Sequence, residues 1–404
     1  MRVLIADKLP ASAVTQLEEA GLQVRIQPDL KEESLTDAIS SESPQVLVVR
    51  STKVRADMLA GGSLGLIVRA GAGYNTIDVA AASEAGIFVA NCPGKNSLAV
   101  AELALGLLIS ADRQIPAANA DLRAGIWSKG RFAKARGLAG RCMGVIGGGR
   151  IGLAVAERAL ALGMRVLVWN IPGEGAEERA ALIGAEFEPD LDTLLTQVDA
   201  VSLHLAENEH TRRMANREFF SKLKEGAIFL NTSRAGLVDE QALLWALDNR
   251  GLRAGLDVFE GEGTGSSGEL DCALVRHPSV FATPHIGAST DQAQEAVAEE
   301  AVRIILSYQG SGEVPNVVNL ARKSPASHLL IVKHRNRVGV LSAVFDGLRE
   351  ADINVEETEN IVFAGAKTNV ARIALTSAPN QALLAKLGED NQNILDLKVV
   401  PITH

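Results

Sequence analysis

Cysteine, positive charge and long apolar runs are all scarce in this chain. Its three cysteines, Cys92, Cys142 and Cys272, are odd in number and show no pairing rhythm. That excludes a disulfide framework and suits a reducing cytoplasm. No His, Cys, Asp or Glu cluster has metal-ligand spacing, so no metal is expected. Lys and Arg total 40 against 49 Asp and Glu, for a net charge of −9. Without a basic stripe, nucleic acid is not an expected partner. No uncharged apolar run reaches the roughly 18–20 residues of a membrane span. The start, MRVLIADKLP, is too short in its apolar part for a signal peptide and reads as a first β-strand.

With 404 residues and 47% hydrophobic content, the chain can build two or three domains with sizeable cores. The most informative stretch is Met143 to Asn170. An apolar run leads into Gly147, Gly149 and Gly152 at G-x-G-x-x-G spacing. A helical pattern follows, with Ile151, Val155, Ala159 and Leu162 on one face, and then a second strand to Trp169. Strand, tight turn, helix and strand together make a dinucleotide-binding signature. The first glycine permits the turn, the second admits a pyrophosphate, and the third lets helix meet strand. Free N–H groups at the helix start, around Arg150 and Ile151, then receive phosphates.

Short buried-strand signals surround this unit. Val3–Ala6, Val46–Val49, Leu66–Val68 and Ile87–Ala90 mark a first α/β region. Ala200–Leu205, Ala227–Leu230, Arg253–Leu256 and Val280–Thr283 continue the second. Long helices are expected at Ser97–Ser110 and Thr290–Gln309. Leu320–Ser327 reads as a linker. From His328 the order becomes strand, helix, strand, a hairpin from Asn360–Val370 and Ala371–Thr376, helix Gln381–Leu387, and strand Leu397–Ile402. That is a βαββαβ module.

Hydride transfer to a carbonyl needs a proton carrier near neutral pH and a cation for a carboxylate. NTSRAGLVDE supplies Arg234, GLDVFEGE supplies Asp257 and Glu262, and TPHIGAST supplies His285. All lie at carboxyl ends of expected strands, where open α/β sheets bind ligands. Taken singly, Arg234 could be a surface arginine, Glu262 a loop charge and His285 a satisfied loop histidine. Three together behind a glycine motif point to a site.

These segments, with VRSTKV (49–54), RAGAGYNTID (69–78) and NCPGKNS (91–97), make the chain resemble the D-isomer-specific 2-hydroxyacid dehydrogenases. It is most similar to the branch that acts on a phosphorylated 2-hydroxy acid and carries a C-terminal ACT domain. The resemblance implies two Rossmann-like doubly wound domains. A discontinuous substrate domain, 1–98 and 289–318, would flank an NAD-binding domain, 99–288. A linker at 319–327 and an ACT domain at 328–404 would follow. Arg234 would hold the substrate carboxylate, His285 would be the acid/base, and Glu262 its partner. The N–H groups of Gly71, Ala72 and Gly73 would also bind the carboxylate. Asp257, Ser233, His285 and Gly287 would line the nicotinamide end. Arg50, Ser51 and Asn96 would bind a substrate phosphate, or else only solvate the surface. WSKGRF (127–132) resembles a segment that reaches a neighbouring active site in a homodimer or homotetramer, bringing Lys129 or Arg131.

Serine-sensitive members hold their effector with a His and two Asn, here His334, Asn336 and Asn354. The ACT module could instead serve assembly alone. Asn170 stands where Asp usually meets the adenosine ribose. Asn does not repel a 2′-phosphate, yet no Arg follows directly, so NAD is expected with weaker discrimination. Two other functions stay open: reduction of an unphosphorylated acid such as hydroxypyruvate or glyoxylate, and a sensor without turnover.

Overall fold

The computed structural model describes residues 1–59, 62–171, 175–263, 268–321 and 323–402. The chain forms two compact units, Met1–Asn319 and Leu320–His404.

The first unit holds two parallel sheets. Strands β1 (Arg2–Ile5), β2 (Gln23–Ile26), β3 (Val46–Val49), β4 (Leu66–Arg69) and β5 (Phe88–Asn91) pair in the order β2-β1-β3-β4-β5. The central strands are buried on both faces, which is why they read as unbroken runs such as VLVV. The edge strand β2, QVRI, is largely exposed and has no such run. It was not anticipated from the sequence.

The second sheet contains β6 (Cys142–Ile146), β7 (Arg165–Trp169), β8 (Glu186–Phe187), β9 (Ala200–Leu203), β10 (Ile228–Asn231), β11 (Arg253–Leu256) and β12 (Val280–Ala282). Its order is β12-β11-β10-β9-β6-β7-β8. The order reverses at β6, and the glycine turn leaves its carboxyl end. Such a switch point is where open sheets bind ligands.

Two long helices serve different sheets. Helix Ser97–Arg113 buries Ala101, Ala104 and Leu108 against the second sheet. Helix Asp291–Ser311 buries Val297, Ala301 and Ile305 in the core of the first. Each buried Leu, Ile or Val contributes about 1.5–3 kcal/mol. After this helix, Val317 bridges to Ala90 of β5.

The second unit is a four-stranded antiparallel sheet. Strands β13 (His328–Arg335), β14 (Val355–Val362), β15 (Thr368–Leu375) and β16 (Ile394–Pro401) lie in the order β14-β15-β13-β16. Helices Val340–Glu350 and Gln381–Asp390 complete the βαββαβ pattern. The hairpin turn differs from the expected one. Val370 and Ala371 sit inside β15, and the chain reverses around Gly365 and Ala366, both at positive φ. Glycine at that turn is the local cause.

Candidate active site

The glycine turn has the shape a dinucleotide needs. Gly147 has φ +112°, and a β-carbon there would lie 2.5 Å from the His204 carbonyl oxygen. One on Gly152 would collide with the Gly147 carbonyl. A side chain is excluded at both positions. Gly149 faces open space and starts helix Arg150–Ala161, with no side-chain cap on its first N–H groups. Uncapped N–H groups beside open space fit a pyrophosphate. Arg150 itself donates to the Pro93 carbonyl at 2.8 Å, joining the turn to the loop after β5. Asn170 is buried, and its Oδ1 accepts the Gly148 N–H at 2.9 Å. Residues 172–174, which follow it, lie outside the described residues.

His285 stands at the end of β12 with Glu262 against it. Nδ1 lies 2.6 Å from Glu262 Oε1. That hydrogen bond raises the His285 pKa above its ordinary value. Burial opposes it, the charges of Glu262 and Asp257 reinforce it, and Arg234 lowers it. A His so held can take or give a proton near neutral pH. His285 adopts a left-handed φ of +52°. Asp257 stabilises that conformation. Its carboxylate accepts the Thr283 hydroxyl at 2.5 Å, the Ile286 N–H at 2.9 Å and the Gly287 N–H at 2.8 Å. Asp257, expected at the nicotinamide, therefore anchors the histidine loop.

Arg234 follows β10. Asn231 shapes its turn, accepting the Ser233 N–H at 3.0 Å and donating to the Arg234 carbonyl at 2.9 Å. The Ser233 hydroxyl donates to Leu205 O at 3.1 Å. The Arg234 guanidinium packs so close over Gly73 that a β-carbon there would collide with it. Gly73 belongs to the turn after β4. Gly71, at φ +150°, gives its N–H to the Arg69 carbonyl at 2.8 Å, so it shapes this turn and the available cradle narrows to Ala72 and Gly73.

Arg69 was missed in the sequence as a site residue. It lies at the end of β4, and its pKa falls to about 10 through burial and the charges of Arg234 and Arg50. Its buried Nε has no partner among the described residues. The signal available was a charge ending an otherwise apolar strand, LIVR. Arg69 and Arg234 both crowd the turn at Gly71 and Gly73, and the charges of Arg50 and Arg234 both act on Arg69. Arg50 Nη1 donates to Gln294 at 3.1 Å. Asp7 was also missed. Its carboxylate accepts the N–H groups of Arg50, Ser51 and Thr52 at 2.6, 3.1 and 3.0 Å, and the Ser51 hydroxyl at 3.0 Å. Asn96 has a buried Oδ1 without a partner among the described residues. Lys95, beside it, pairs with Glu300 at 3.3 Å.

Arg131 pairs with Asp121 at 3.1 Å and lies over the Phe132 ring. Trp127, in the same segment, is 80% exposed. Within the C-terminal unit, His334 is buried, with its ring nitrogens 2.9 Å from Arg335 O and 3.3 Å from Asn360 Oδ1. Asn336 and Asn354 are exposed and donate to Ala366 O at 3.0 Å and Glu356 at 2.8 Å. Among the described residues, no group of three or more His, Cys, Asp or Glu is placed to hold a metal, and no helix is long and apolar enough to cross a membrane.

A dinucleotide turn, a His–Glu pair and convergent arginines at strand ends define an oxidoreductase of the Rossmann class. Residues 105–287 match the NAD binding domain of the D-isomer specific 2-hydroxyacid dehydrogenases. The chain is 39% identical over 331 residues to a D-3-phosphoglycerate dehydrogenase from Methanocaldococcus jannaschii, covering 80% of this chain and 61% of that protein. It is 44% identical over 268 residues to a hydroxypyruvate reductase from Thermotoga maritima, covering 66% and 85% respectively. A solved NAD+-bound 3-phosphoglycerate dehydrogenase from Entamoeba histolytica superposes with a TM-score of 0.65 at 27% identity, over 79% of this chain and 99% of that one. The chain belongs to the D-isomer specific 2-hydroxyacid dehydrogenase family and carries its NAD-binding domain. It spans about three-fifths of the length of the phosphoglycerate dehydrogenase first compared.

Proposed function

We propose that the protein is an NAD-dependent D-3-phosphoglycerate dehydrogenase, oxidising 3-phospho-D-glycerate to 3-phosphohydroxypyruvate as the first step towards L-serine. The observation that carries this is the crowding of Arg69 and Arg234 on the turn at Gly71 and Gly73, with Arg50 near enough for its charge to act on Arg69. A lone carboxylate needs one guanidinium, whereas a substrate with both a carboxylate and a phosphate uses all three. In this reading Arg234, with Ala72 and Gly73, binds the carboxylate and polarises the C2 oxygen. Arg50, Arg69 and Asn96 face the phosphate. His285 takes the hydroxyl proton through Nε2 while Glu262 holds Nδ1. NAD held at the glycine turn would supply the hydride acceptor. Arg50→Ala tests the reading. It is expected to lower kcat/KM for the phosphorylated substrate by roughly 10–100-fold while sparing hydroxypyruvate. Equal losses on both would refute it.

One observation favours a second reading, reduction of unphosphorylated hydroxypyruvate or glyoxylate. Asp7 already occupies the N–H groups and hydroxyl of the Arg50–Thr52 loop, and it brings a negative charge there. The same comparison of substrates separates the two. A sensor without turnover is disfavoured by the intact His285–Glu262 pair.

Assembly as a homodimer or homotetramer is supported by exposed Ile115, Leu122, Ile126 and Trp127. For the C-terminal unit we propose serine binding through the exposed amides of Asn336 and Asn354, with His334 shaping the loop from beneath. Three free, buried cysteines are consistent with a cytoplasmic protein.

A further inference from the structure

On the reading that Ala72 and Gly73 hold the substrate carboxylate, we infer that Asn91 is a positioning residue for acid binding: its side chain aims the Gly73 N–H and fixes the cradle from behind. The end of β5 lies against the turn that follows β4. There Asn91 Nδ2 donates to the Ala72 carbonyl at 2.5 Å, and Cys92 gives its N–H to the Gly71 carbonyl at 2.9 Å. Two successive carbonyls of the turn are thus held by two successive residues leaving β5.

A peptide unit is planar and trans, so its N–H points opposite to its carbonyl. The Gly71 carbonyl shares a peptide with the Ala72 N–H, and the Ala72 carbonyl shares one with the Gly73 N–H. Fastening both carbonyls to β5 turns both N–H groups away from it. Neither N–H has a partner among the described residues, and Ala72 and Gly73 are both partly exposed. Adjacent free N–H groups on a turn form an anion site, and the Arg234 guanidinium crowds Gly73. A carbonyl that accepts a hydrogen bond also polarises its own peptide, which strengthens the N–H as a donor.

The chemistry of residue 91 suits this task. The Ala72 carbonyl needs a donor; Asn supplies an NH2 group, whereas a carboxylate offers only acceptors. Asn91 is buried, and its own N–H donates to the Asn316 carbonyl at 3.3 Å. Asn316 Nδ2 donates to Glu300 at 2.6 Å. Glu300, buried on helix Asp291–Ser311, is held in turn by Arg303 at 2.6 Å and Lys95 at 3.3 Å. Asn91 therefore takes its place from the protein behind it and directs the turn in front.

Steady-state kinetics on the full chain tests this. A carboxylate contact made equally in the ground and transition states affects KM and spares kcat. Asn91→Leu keeps the size of the side chain and removes the donor. It is expected to raise KM by roughly 10-fold for phosphohydroxypyruvate and hydroxypyruvate alike, with kcat within about threefold. The Kd for NADH, read by fluorescence titration, is expected to stay unchanged. Asn91→Ser, one atom shorter, is expected to act in the same direction and serves should Asn91→Leu not fold. A lower melting temperature with KM unchanged would make Asn91 a structural residue and overturn the inference. So would a rise in KM confined to the phosphorylated acid, or a fall in kcat at constant KM. Arg234→Lys, measured alongside, isolates the cause of a failure. KM raised by Arg234→Lys but not by Asn91→Leu overturns the inference alone. KM raised by neither overturns the carboxylate site as well.

Discussion

The His285–Glu262 pair makes a prediction whose sign and size both follow from geometry. Glu262→Gln keeps the shape of the side chain and removes its charge. A hydrogen bond to a charged group contributes about 1.5–3 kcal/mol. His285 and Glu262 side chains are 50% and 34% exposed, so solvent screens a substantial part of that. What remains is about 1–1.5 kcal/mol. His285 is raised in the wild type, so its imidazolium persists to higher pH than that of a free histidine. Oxidation of a hydroxy acid requires the neutral ring, so its rate rises with pH through this pKa. Reduction requires the imidazolium, so its rate is lost as pH rises through the same value. In Glu262→Gln both inflections are expected to move to lower pH. Initial rates followed by NADH absorbance from about pH 5 to pH 9 measure this in each direction. An inflection that stays in place, or moves up, would refute the assignment of Glu262 as the partner that charges His285.

Arg69→Met is expected to lower kcat/KM for an anionic substrate by roughly 10–100-fold. It should leave the melting temperature unchanged or higher, because a buried cation beside two others is removed. A marked fall in melting temperature would instead make Arg69 a structural residue. Asp112→Ala leaves the buried Arg141 without its 3.0 Å partner and is expected to destabilise the first unit by about 3–5 kcal/mol. Urea unfolding measures it, and a loss below about 1 kcal/mol would contradict the stated burial cost. Serine at millimolar concentration is expected to slow turnover and raise the melting temperature. Asn354→Ala should abolish both effects, and an unchanged rate and melting temperature in wild type would end that proposal.

Much of the fold was readable because its signals are local. The glycine turn, its helix and the flanking strands are contiguous, and strands buried on both faces must be apolar throughout. Strand β2 escaped notice because an edge strand with QVRI satisfies neither an apolar run nor a clear alternation. Two-residue β8 is too short to carry any period. In the C-terminal unit, the turn was misplaced because Ile361–Phe363 continues the apolar character past the end of β14. The motifs of the site were equally local, but their convergence was not. Arg69 reads as the last residue of a strand until Arg50 and Arg234 are placed around it. Asp7, at the end of β1, meets its partners more than forty residues later in the chain.

The clasp that Asp7 makes on the Arg50–Thr52 loop has a further consequence. Three successive N–H groups and a hydroxyl are satisfied within the protein, so the Arg50–Thr52 loop has its final shape before any ligand arrives. Binding there orders little, and affinity for the ligand is not diminished by the entropy of fixing a mobile segment. The same rigidity works as a ruler. The backbone of Arg50 is held in place, and under the proposed phosphate reading an acid whose two anionic ends are too near or too far cannot recruit the loop to follow it. Chain length, more than charge, would then separate accepted substrates from rejected ones.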